Sequence, residues 1–93
     1  MNKTRRAALS AVQGKIEDLK NELETLRDEE QEYYDNMPES LQGSERGETA
    51  ESAISEMDEA LSDLEDADSL MQDINTVLEK LESAAEHTDN AGA

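Results

Sequence analysis

A chain of 93 residues with 25 Asp and Glu against 8 Lys and Arg has a formal net charge of −17, which disfavours direct binding to nucleic acid or an anionic membrane. The absence of cysteine excludes disulfides and thiolate metal sites and fits a reducing cytoplasm. With no Phe or Trp and only two Tyr, the chain lacks the rings that fill most globular cores, so burial must come from aliphatic residues along helices and from self-association.

The basic start, Lys3, Arg5 and Arg6, is followed only by the short stretch AALSAV, and no apolar run approaches the ~18 residues needed to span a bilayer. The expectation is a soluble chain without a targeting segment. Charge is also unevenly spread: residues 1–27 carry six bases and four acids, while residues 28–93 carry two bases and 21 acids.

A first helix is expected from about residue 4 to 36. Leu9, Val12, Ile16, Leu19, Leu23 and Leu26 recur in steps of three and four, the narrow seam of a coiled coil. The register continues through Glu30, Tyr33 and Met37, and Gly14 falls on the outward side, where it costs about 1 kcal/mol of helix propensity relative to Ala.

A hinge follows at about residues 36–44. Pro38 cannot donate an amide and pushes Met37 out of the helical region, and Pro38-Glu39-Ser40-Leu41 is suited to a single helical turn. Ser44 is placed to cap the second helix, with Glu45 and Glu48 in its first turn favoured by the helix dipole. Arg46, the sole base between Arg27 and Lys80, is expected to pair with a carboxylate across the turn, and Tyr33 and Tyr34 to pack against the hinge.

The second helix, about residues 44–86, is a run of heptads. One line is Ala53, Ala60, Ala67, Ile74 and Leu81, a second is Met57, Leu64, Met71 and Leu78, and a Ser/Thr line faces water. Ile54 and Leu61 on one flank and Leu70, Val77 and Ala84 on the other make the apolar stripe too wide for one neighbour. Asp68 lies beside the seam, facing solvent or fixing register. The pattern predicts an all-α fold: an antiparallel hairpin domain over residues 1–87, assembling as a dimeric four-helix bundle or higher oligomer, with a frayed tail over 88–93.

Catalytic chemistry has little to work with. The single His, His87, falls where the second helix should end, and there is no phosphate-binding Gly loop, nucleophile elbow or zinc motif. Asp63, Glu65, Asp66 and Asp68 alternate like a calcium loop but lack its Gly at position six and Glu at position twelve. No enzyme activity, cofactor or metal is expected.

The density of acids remains. Between Glu45 and Asp68 stand ten acids, among them Glu51, Glu56, Asp58, Glu59, Asp63, Glu65 and Asp66. That is about one carboxylate per 3.6 Å of helix axis, so two such helices side by side approach the ~1.7 Å spacing of charge on duplex DNA.

The hinge text, Asp35-Asn36, Pro38-Glu39-Ser40-Leu41-Gln42 and Ser44-Glu45-Arg46-Gly47, resembles a motif of small acidic coiled-coil proteins of bacteriophages and prophages. The resemblance covers about residues 16–85 and assigns no role to any residue. It implies a phage accessory protein acting in the bacterial cytoplasm. Two functions are expected to compete: an inhibitor that presents DNA-like acids to a basic host defence or other nucleic-acid-binding protein, and a structural adaptor or assembly scaffold that uses its apolar flank and the hinge residues Tyr34, Pro38, Leu41, Ser44 and Arg46.

Overall fold

The computed structural model describes the backbone of residues 2–92 and the side chains of residues 2–84. The chain forms three helices, α1 (Lys3–Asp35), α2 (Glu39–Gln42) and α3 (Glu45–Gly92), and α1 packs along α3 in a hairpin measuring 77 × 16 × 15 Å. Asn2 caps α1, its side-chain oxygen accepting from the Arg5 amide at 2.8 Å. At the other end the Asn36 amide bonds to the Glu32 carbonyl and the Met37 amide to the Tyr34 carbonyl before Pro38 stops the helix.

The helical turn anticipated after Pro38 is α2, with Pro38 immediately before it. Ser44 occupies the position before α3, but its cap differs from the one expected. Its carbonyl accepts the first helical bond from Glu48 at 2.9 Å, while its hydroxyl donates backward to the Leu41 carbonyl. The short α2–α3 turn brings that carbonyl within reach and takes up the hydroxyl.

α3 continues to Gly92, beyond the end anticipated near Glu86, since neither Pro nor Gly stands between Glu86 and that residue. His87, expected at the helix end, lies within α3, and its side chain is outside the described residues.

Cross-helix contacts set the register. Arg27 meets Asp58, Tyr34 meets Glu51, Gln13 meets Asn75 and Arg6 meets Glu82, so low numbers on α1 face high numbers on α3 and the helices are antiparallel. Only Met37, Ala50 and Ile54 are buried apolar residues among those described, and all three lie at the hinge end, where α2 closes over the start of α3. Gly47 makes that closure possible. A Cβ there would lie 2.0 Å from the Gln42 carbonyl oxygen, so the glycine serves a close backbone approach inside α3 rather than a loop.

Candidate functional site

The helix faces are shared out differently from the seams read in the sequence. On α1, Leu9, Ile16 and Leu23 are half-buried against α3, whereas Val12, Leu19 and Leu26 stand exposed, the last two at 52% and 55%. The second inward line of α1 is polar: Arg6, Gln13, Lys20, Arg27 and Tyr34, spaced by sevens and all half-buried. On α3, Met57, Leu64, Met71 and Leu78 turn inward as expected, but their partner line is Ile54, Leu61, Asp68 and Asn75. Ala53, Ala60 and Ala67 are half-buried at the edge of the contact, and Ile74 and Leu81 are exposed. One neighbour covers two heptad lines per helix, and each helix carries a third.

The hairpin consequently has two unlike faces. On the polar face, grooves between the helices are lined by Ser10, Gln13 and Glu17 with Asp68 and Gln72, and by Lys20, Glu24 and Arg27 with Asp58 and Glu65. Here Arg27 donates from Nε to Asp58 at 2.9 Å and also pairs with Asp28 at 3.5 Å. The hydrogen bond to Asp58 is the main reason its guanidinium is held above the usual arginine range. Tyr34 donates to Glu51, and that bond holds its phenol above the ordinary tyrosine value. Asp68 turns toward α1 and accepts from the Gln13 and Gln72 amides at 3.5 and 3.1 Å, so it joins the helix contact instead of facing water.

On the apolar face the line Val12, Leu19, Leu26 and Tyr33 of α1 runs beside Ala53, Ala60, Ala67, Ile74 and Leu81 of α3. In an antiparallel pair the same flanking heptad line of each helix adjoins the other. At the hinge end Tyr33 lines a groove with Arg46, Thr49 and Ala50, which places this side of both helices together. Toward the open end Leu70 and Val77 widen the stripe, and Leu70, Ile74, Val77 and Leu78 line a groove with no polar wall except Asp73.

The acidic residues separate into two groups. Glu51 and Asp58 are engaged by α1, whereas Glu56, Glu59, Asp63, Glu65 and Asp66 are exposed and, among the described residues, form no ion pair. Arg46 does not make the anticipated pair across the turn. It is exposed on the apolar side of α3, and the cross-helix pairing falls to Arg6 with Glu82 and Arg27 with Asp58. Leu41 is 40% exposed at the tip of the hinge, while Tyr34 is tied to α3.

Sequence reasoning missed the polar ladder of α1 and the closure at Gly47. The ladder had a signal, since Arg6, Gln13, Lys20, Arg27 and Tyr34 repeat every seven residues as faithfully as the leucines do.

Among the described residues no three carboxylates or histidines gather as a metal cluster, and no helix is long and apolar enough to cross a membrane. No protein-family model matches the chain, and neither the curated proteins nor the solved structures yield a match.

Proposed function

We propose that this hairpin is a non-catalytic protein-interaction module that associates with itself through its apolar face and presents the acidic outer surface of α3 to a basic protein. The observation that carries the reading is the division of the hairpin into unlike faces. Leu19, Leu26, Leu70, Ile74, Val77 and Leu81 stand uncovered along one side of a protein that buries three apolar residues among those described. A stripe of that extent on a small acidic chain is a surface for association. Glu56, Glu59, Asp63 and Asp66 lie away from the helix contact and keep their charge for a partner.

The partner class that fits is a protein with a basic nucleic-acid groove. The carboxylates of α3 between Glu45 and Asp68 stand about one per 3.6 Å of axis, within about twofold of the charge spacing of duplex DNA, and the hinge resemblance suggests a host defence protein met in the bacterial cytoplasm. The second reading, a structural adaptor or scaffold, is favoured by the exposure of Leu41 at the hinge tip.

A charge variant distinguishes the two. Replacing Glu56, Glu59, Asp63 and Asp66 with Gln or Asn preserves size and leaves the Arg27 and Tyr34 contacts intact. Under the charge-mimic reading this variant stays helical and loses a basic nucleic-acid-binding partner, whose binding also falls steeply with salt and is competed by DNA. If that variant binds normally and Leu41→Ser does not, the hinge is the contact and the module is an adaptor.

A further inference from the structure

Resting on the self-association just proposed, we infer that the occupant of the apolar face is a second copy of this chain laid antiparallel, with its hinge over the open end of the first and the two-fold axis at Leu19 and Ala67. The apolar line of α3 has its midpoint there, running from Ala53 to Leu81 and centred on Ala67, and the α1 line from Val12 to Tyr33 passes through Leu19. The cross-helix contacts put these two residues at the same height in the hairpin.

Charge then decides the orientation. With the copies reversed, Ile74 and Leu81 of one face Ala60 and Ala53 of the other, large against small, and Val12 faces Leu26. On the α3 flank Asp63 and Glu56 come beside Leu70 and Val77 of the second copy, while the α1 flank pairs opposite charges. Lys15, exposed and without an ion pair among the described residues, comes opposite Glu22 of the second copy, twice by symmetry. Stacking with both hinges at one end would instead set Glu22 beside Asp63 and Glu29 beside Glu56 across the interface, four like-charge contacts. The stripe is about 42 Å long at 1.5 Å per residue. Over the 16 Å width of the hairpin it offers roughly 650 Å² per copy, close to the ~800 Å² of a standard stable interface. The result is an isologous four-helix bundle in which each acidic surface occurs twice.

The chain has no cysteine, so introduced thiols report without background. The test is mild oxidation of two double variants of the full chain, Lys15→Cys with Glu22→Cys and Glu22→Cys with Asp63→Cys, alongside sedimentation equilibrium of the unmodified protein. Positions seven apart on one helix are about 10 Å apart, too far to bridge within a chain. The antiparallel dimer predicts covalent dimers from the first pair and loss of cross-linking in the second. Dimers from the second pair and none from the first, or no cross-link from either in a protein of dimer mass, overturn the orientation while self-association stands. A monomer at every concentration overturns the association itself. As a further check, Lys15→Glu and Glu22→Lys each weaken the dimer about tenfold, and the two together restore it; independent losses that simply add contradict the pairing.

Discussion

The two ends of the hairpin differ in how far they complete their own packing. At the hinge end three elements meet: α2 folds over the start of α3, Gly47 admits the Gln42 carbonyl, and Ala50 and Ile54 fall to 2% and 8% exposure. At the open end only two helices meet, and their contact is as much polar as apolar, with Gln13 bonded to Asn75 at 2.8 Å and Arg6 paired with Glu82. Leu70 there remains 63% exposed. A third element encloses a core, whereas a lone pair of helices can only line a seam.

Substitutions that break this contrast have the largest expected effects. Ile54→Ala should cost about 2–5 kcal/mol in chemical denaturation, and Leu70→Ala no more than about 0.5 kcal/mol at concentrations where the hairpin is alone. Leu64→Asp places an unpaired charge in the inward seam and should abolish helical circular dichroism. Gly47→Ala tests the closure directly. The added methyl meets backbone, which cannot swing aside as a side chain does, and the expected loss is about 1–3 kcal/mol, with freer hydrogen exchange confined to α2 and the first turns of α3.

Seven-residue spacing made the helices, the hinge at Pro38 and the hairpin legible, because apolar lines and a proline are local signals. It did not reveal which line faces which neighbour. Leu9 and Val12 are equivalent in the pattern, yet one is half-buried and the other exposed, since that choice depends on the rotation of α1 against α3. The rotation is tied to Arg27 and Tyr34 reaching Asp58 and Glu51, contacts that depend on pairing distant segments. For the same reason two of the acids put forward as partner-binding, Glu51 and Asp58, are already engaged within the chain. The part played by Gly47 was not legible because a close approach of α2 leaves no trace in periodicity.

Smaller effects are expected on α1. A Cβ at Gly14 would meet nothing within 4 Å, so Gly14→Ala should stabilise the hairpin by about 0.5–1 kcal/mol in denaturant titration. Because the Tyr34 phenol is raised by its bond to Glu51, its contribution is fully present below the ordinary tyrosine value of 10.0 and is lost as pH rises through the raised one. Absorbance titration of tyrosinate should show one late-ionising tyrosine, and Glu51→Gln should bring that ionisation back toward the ordinary value.

The central claim is that a second copy completes the apolar face. Sedimentation equilibrium of the intact chain and of Leu19→Asp, each paired with circular dichroism, tests it most directly, because Leu19 lies outside the α1–α3 contact and on the stripe. Dimer mass is expected for the unmodified chain, and monomer mass with helicity largely retained for Leu19→Asp. A monomer for the unmodified chain across the micromolar range, or a Leu19→Asp protein that sediments as the parent does, would contradict it.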